Sequence, residues 1–344
     1  MKILLVGPFS GKQREAAIAE GFRRNNCDVL ECSYGDILYS TNLLNRIQLK
    51  LGVGLVNHKL VKRVSESISF FRPDIIFFRR PLEFSESMIL EIKKITHALL
   101  VNFNNDDPFS KVYDSDIKWI KYRKTIPFFD ITFSFRRKNI AEYLNCGAKN
   151  VFMWEPSFSP WIHRPLVSTD NWLKYNNMIL FAMHAEKDER RNCLLELYDQ
   201  NFNLHIHSWN WESVFGKKEA KLLNVQMPIW ENDYVKKIGN SMATLCFFSK
   251  QNNDELTSRV FEIPASLGLL VSKKTDRLEE IFTNNEEAIF FESKEELVDI
   301  IKYLVKNPQI VSKIKTAGYN KIISTQNSIV DRCKMAISHF NQLK

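Results

Sequence analysis

Asn252-Asn253-Asp254-Glu255-Leu256-Thr257-Ser258-Arg259-Val260-Phe261-Glu262-Ile263-Pro264-Ala265-Ser266-Leu267-Gly268 is the most informative stretch of the chain. It follows an apolar run at residues 242–248 that reads as a strand, and its second half reads as a helix with Thr257 or Ser258 at the N-cap. Glu262 comes three residues after Arg259, so the two share one helix face. A carboxylate there can accept both hydroxyls of a ribose, while a guanidinium beside a helix N-terminus can bind a diphosphate. With no ligand, the same residues make a surface pair worth about 0.2–0.5 kcal/mol. Pro264 predicts an irregular or late-starting helix, because proline has no N–H to donate.

Upstream, strand-type runs at residues 2–6, 29–32, 74–78, 98–102, 131–135 and 151–154 alternate with helical stretches at 13–24, 60–70, 85–96 and 138–144. That alternation is the pattern of parallel α/β layers. Pro156, Pro160 and Pro165 then fall within ten residues and break both helix and strand. The alternation restarts with strands at 178–183, 204–207, 242–248, 269–272 and 289–291, and helices at 189–198, 233–240, 258–266 and 294–306; from Pro308 on, only helices are expected. The expected organisation is an N-terminal Rossmann-like domain over 1–160, a linker over 161–175, a second Rossmann-like domain over 176–325 and a C-terminal helix over 326–344. Two such halves in tandem place a ligand crevice between them.

Composition agrees. A chain of 344 residues, 44% hydrophobic and 26% charged, is neither disordered nor fibrous and is too long for a single small module. Only 11 residues are glycine, less than half the usual roughly 7%, so glycine-rich phosphate loops are scarce. No apolar run approaches the roughly 18 residues needed to span a bilayer. The six cysteines stand singly, with no CxxC pair, and read as buried thiols of a cytosolic protein. A net charge of +8 suits an anionic partner such as a nucleotide, an anionic lipid surface or nucleic acid.

Gly7-Pro8-Phe9-Ser10-Gly11-Lys12-Gln13 looks like a phosphate loop but is one residue short and has Gln13 where a magnesium-binding hydroxyl belongs, which argues against an ATPase. Ser10 and Gly11 remain at a helix start, where free N–H groups can face a ligand on the acceptor side. Asp114-Ser115-Asp116 has the DxD form of metal-dependent transferases, yet no apolar strand precedes it and a helix N-cap is the expected role. His205 and His207 alternate on one strand face without a third ligand, so no metal site is expected. Asn104-Asn105-Asp106-Asp107-Pro108 follows the fourth strand and sets two carboxylates at its carboxyl end. There Asp107 or Asp106 can act as a general base on an acceptor hydroxyl, or simply make an Asx turn.

Residues 257–265, of the form T-x-R-x-F-E-x-x-A with Gly268 following, resemble a block of the CgeB/YkvP-type (spore-maturation-type) group 1 glycosyltransferases. The resemblance extends to Leu278-Glu279-Glu280-Ile281-Phe282, to Ala288-Ile289-Phe290-Phe291, and in the first half to Arg72-Pro73-Asp74-Ile75-Ile76 and Asn105-Asp106-Asp107-Pro108. It implies an α/β GT-B fold, two Rossmann-like domains facing a central cleft, with a nucleotide-sugar donor on the C-terminal domain and an acceptor on the N-terminal one. The family's E-x7-E pair falls on Asp254 and Glu262, which implies a sugar contact for Asp254 and a ribose contact for Glu262. Where related chains carry a glycine and a basic residue near the diphosphate, this one has His184, Lys187 and Arg190.

The function so implied is metal-independent transfer of a sugar from a nucleotide-diphosphate donor to a hydroxyl of a glycan, lipid-linked glycan or surface polymer. No cofactor or metal is expected, the nucleotide sugar being a co-substrate. Glu262, Arg259, Thr257, Ser258, Lys187, Arg190 and His184 would hold the donor, with Asp254, Asp107 and Asp106 at the reacting groups. The expected location is the cytoplasm or the inner face of the membrane, with peripheral membrane contact and no nucleic-acid partner. The rival readings are a non-catalytic binding or structural protein of the same fold, in a cell-surface or spore-coat assembly, and a nucleic-acid-binding protein.

Overall fold

The computed structural model describes residues 1–9, 14–39, 42–52 and 54–343. The chain forms two compact units, one of Met1–Glu155 with Ile329–Lys344 and one of Pro156–Ser328.

In the first unit the strands are β1 (Lys2–Gly7), β2 (Asp28–Ser33), β3 (Ile75–Arg79), β4 (Leu99–Asn104), β5 (Ile131–Ser134) and β6 (Val151–Met153). They form one parallel sheet in the order β2-β1-β3-β4-β5-β6, with Ile3 paired to Val29 on one side and to Ile75 on the other. The central strands are covered on both faces, which is why β3 reads Ile-Ile-Phe-Phe with no polar alternation, whereas edge strands β2 and β6 are only partly buried. Leu4, Val6, Ile76 and Phe78 pack on one face against Phe84 and the helix Leu55–Phe71. On the other, Phe22, Phe77, Phe133 and Trp154 form an aromatic cluster.

The helix Ile329–Leu343 closes this second face. Phe340 meets Phe22 and Phe133, and His339 stacks on Phe152 with ring centroids 3.7 Å apart. Gly21, in the helix Arg14–Arg23, permits the approach: a Cβ there would stand 2.8 Å from Cys333 Sγ and 3.1 Å from the Ile329 carbonyl oxygen.

The second unit has β7 (Ile179–Ala182), β8 (Leu204–His207), β9 (Ala243–Cys246), β10 (Leu270–Lys273) and β11 (Ile289–Phe291), parallel and in the order β11-β10-β9-β7-β8. Alternate residues face opposite layers. Phe181 joins Trp172, Trp211 and Phe247 in one core, while Leu180 joins Cys246, Phe261 and Phe290 in the other.

In each sheet the first strand lies between the second and the third, so the strand order reverses there and the crossovers to either side of it run over opposite faces. That reversal opens a crevice beyond the carboxyl ends of β1 and β3, and another beyond those of β7 and β9.

All eleven strands among the described residues fall on the expected runs. The helix Leu43–Leu51 was not anticipated, because its apolar residues do not mark a core-facing stripe. The proline-rich stretch after Glu155 contains turns at residues 160–164, and Asn171–Tyr175 forms a 3-10 turn. Five cysteines are buried thiols as expected, but Cys146 is only half-buried because it ends the helix Arg137–Asn145. Among the described residues no helix is long and apolar enough to cross a membrane.

Candidate functional site

The carboxyl ends of β7 and β9 are bound together by two arginines. Arg259 begins the helix Arg259–Ala265 and donates from Nε to the Ala182 carbonyl at 2.9 Å, at the last residue of β7. Its terminal nitrogens have no partner among the described residues, and the side chain is half-buried. Arg190 is only 1% exposed and gives its N–H groups to the Asp188 carboxylate, to the His184 carbonyl at 2.7 Å and to the Phe248 carbonyl at 3.0 Å. The sequence places Arg190 beside a diphosphate. In the structure its guanidinium is spent on protein acceptors and holds the loop after β7 to the loop after β9.

Glu262 lies one turn beyond Arg259. The two make no ion pair among the described residues, because Arg259 reaches back to β7 while Glu262 faces Tyr234 and His163. Tyr234, on the helix Glu231–Gly239, donates from its hydroxyl to Glu262 Oε2 at 3.4 Å. His163 Nε2 stands 4.0 Å from Glu262 Oε1. The Ser159 N–H donates to His163 Nδ1 at 3.0 Å, which fixes the tautomer with the proton on Nε2, toward the carboxylate. Burial pushes the His163 imidazole below its usual range, against the pull of Glu262. Neither Tyr234 nor His163 is identified by sequence reasoning: His163 sits in the expected linker and Tyr234 on the helix expected at 233–240, and no spacing rule joins them to Glu262.

Ser258 is the N-cap residue but already has helical backbone angles, and its side chain makes no capping bond, contrary to expectation. The carbonyls of Thr257 and Ser258 accept from Val260, Phe261 and Glu262. The helix survives Pro264 by being short: it starts five residues before the proline and ends one after it. Asp254 lies between β9 and this helix, its N–H bonded to the Ser249 carbonyl. Lys187 is exposed in the loop after β7, and the exposed His184 ring accepts at Nδ1 from the Trp209 indole N–H.

At the carboxyl edge of the first sheet, Asp106 accepts from Arg80 Nε at 2.8 Å, and Arg79 bridges Glu15 at 2.6 Å and Asn105 at 2.9 Å. Asp107 is fully buried. It accepts from Lys138 and Asn139, each at 2.8 Å, and from the Phe109 N–H at 3.0 Å, so it fastens its loop and is closed to an acceptor hydroxyl. Ser10 and Gly11 lie outside the described residues. Asp116 of the DxD sequence caps the helix Ile117–Thr125 by accepting from the Lys118 N–H at 2.9 Å. His205 pairs with Asn203 and His207 with the Met227 carbonyl.

Two parallel α/β sheets with first-strand switch points, followed by C-terminal helices, make this a GT-B fold. Residues 190–336 match the family described as glycosyl transferase-like, a stretch that includes Arg259 and Glu262. The chain is similar in structure to Anabaena HepE solved with UDP and glucose, with a TM-score of 0.70 at 11% identity, over 99% of this chain and 100% of the other. It is similar also to sucrose-phosphate synthase from Thermosynechococcus elongatus, with a TM-score of 0.69 at 9% identity over 100% and 99% of the two chains. A glycosyltransferase from Rickettsia africae matches with a TM-score of 0.65 at 15% identity over 99% and 98%. No curated protein matches the chain in sequence.

Proposed function

We propose that the chain is a glycosyltransferase that moves a sugar from a nucleoside-diphosphate donor to an acceptor hydroxyl, with the donor held by the Pro156–Ser328 unit. The observation that carries this is the placing of Arg259 and Glu262 at the β7/β9 switch point, where an α/β sheet takes its ligands. Arg259 is anchored through Nε, so its terminal nitrogens are oriented in advance for a diphosphate, and this limits the entropy lost on binding. Glu262, steadied by Tyr234 and His163, takes the ribose hydroxyls. Lys187 supplies a second cation to the departing diphosphate, which stabilises the leaving group without a metal. Arg190 fixes the loops that carry these groups.

Asp254 is assigned to the donor sugar and Asp106 to the acceptor side, while the burial of Asp107 removes it from that role. The block at residues 257–265 favours the CgeB/YkvP type among glycosyl transferase-like chains. The UDP and UDP-glucose complexes of Anabaena HepE make a uridine donor the first to test.

The test is thermal stabilisation by UDP-, GDP-, ADP-, CMP- and dTDP-linked sugars, with EDTA present, because a ligand bound only to the native state raises the midpoint by mass action. One donor is expected to raise it, and Glu262→Ala to abolish the rise. No rise with any donor at millimolar concentration would favour a non-catalytic protein of this fold.

A further inference from the structure

The helix Leu43–Leu51 is built the wrong way round for a helix packed on a core. Leu43, Leu44, Ile47 and Leu51 are 66%, 66%, 46% and 54% exposed, whereas Leu49 is buried at 5%. At 3.6 residues per turn the four exposed side chains share an arc of about 100° and Leu49 lies opposite. Its apolar stripe therefore faces away from the core of the first unit. Leu55, at the start of the next helix, is 76% exposed. A run of large apolar side chains in water is unfavourable at about 25 cal/mol per Å2, so such a patch marks a surface that something covers.

Charge identifies the cover. From Ile37 to Ser65 the sequence has five Lys and Arg and no Asp or Glu. Arg63 is taken by Asp36, but Arg46 and Lys50 are exposed along one flank of the stripe, with no ion pair among the described residues. In an antiparallel pairing with the same helix of a second copy this flank would meet its own cations, and that repulsion disfavours such a dimer. Apolar side chains flanked by Lys and Arg instead match a lipid interface, where leucines enter the acyl boundary and cationic heads stay with anionic headgroups.

We propose that the outer face of the helix Leu43–Leu51 docks the protein on an anionic lipid surface, with Leu44 and Ile47 inserted and Arg46 and Lys50 on the headgroups. This inference rests on the first unit alone and does not depend on the donor reading of the second.

The experiment is co-sedimentation of the full chain with vesicles of phosphatidylglycerol and phosphatidylcholine in equal parts, against pure phosphatidylcholine. Binding is expected only to the anionic vesicles and should weaken as salt is raised. The double variant Leu44→Gln, Ile47→Gln should lose about tenfold or more in partition, and Arg46→Gln, Lys50→Gln should lose the preference for anionic lipid. These side chains are exposed, so unchanged thermal unfolding and unchanged nucleotide-sugar stabilisation are expected of both variants. Equal binding to both vesicle types, no binding, or undiminished binding of the Gln variants would overturn the proposal. So would a concentration-dependent dimer that Leu44→Gln, Ile47→Gln dissolves, since the patch would then be covered by a second copy.

Discussion

Arg259 Nε donates to the Ala182 carbonyl at 2.9 Å, tying a helix N-terminus to the end of the strand 77 residues before it. This single bond brings together residues that the sequence keeps far apart. It holds the guanidinium at the edge of the β7/β9 switch point and sets Glu262, one turn further on, against Tyr234 and His163.

Glu262→Ala should weaken donor binding by about 10–100-fold, the equivalent of about 1.5–3 kcal/mol for hydrogen bonds to a charged group. Titration calorimetry with the stabilising nucleotide sugar checks this. Stability without ligand should change little, because Glu262 is only partly buried and its Tyr234 bond is long.

Arg190→Met behaves differently. It strands the nearly buried Asp188 carboxylate and two backbone carbonyls, so the unit should lose about 3–5 kcal/mol of stability, read by urea unfolding. Donor affinity extrapolated to the folded fraction should fall far less than in Glu262→Ala. A variant as stable as the parent would remove the positioning role given to Arg190.

Lys315 gives a pH prediction. It is fully buried, donates to the Gly239 carbonyl at 3.0 Å and lies over the Trp172 ring, and burial pulls its ammonium down to about 7. The folded value lies below the unfolded one, so the unfolded chain holds more protons between them and stability rises with pH over that window. The contribution is complete only above the unfolded value and is lost as pH falls toward 7. Unfolding midpoints between pH 6.5 and 9 should climb in the parent and climb less in Lys315→Met. Parallel curves would show that Lys315 stays charged in the folded protein.

Gly21→Val should cost the first unit about 1–3 kcal/mol through overpacking, since even a Cβ meets Cys333 Sγ at 2.8 Å and the Ile329 carbonyl at 3.1 Å. Chemical denaturation reads the loss, and Cys333→Ala in the same chain should recover part of it. No recovery would place the strain on the Ile329 carbonyl alone.

Strand positions and the parallel arrangement were legible in the sequence. Buried strands must be apolar along their whole length, and runs such as Ile75-Ile76-Phe77-Phe78 or Ile289-Phe290-Phe291 between amphipathic stretches have few other uses. The helix Leu43–Leu51 escaped the same logic because its apolar stripe points outward. A pattern rule assumes that apolar means inside.

The roles of the polar side chains were not legible in this way. Asp107 reads as a candidate base and Arg190 as a phosphate ligand because both types can do that chemistry. Lys138 and Asn139 close on the one, and the His184 and Phe248 carbonyls take up the other. Hydrophobic periodicity acts within one element and so is written locally in the sequence. Which donor meets which acceptor depends on strand order and on where the loops after β7 and β9 converge, and that is why His163 and Tyr234 join Glu262 only in the folded chain.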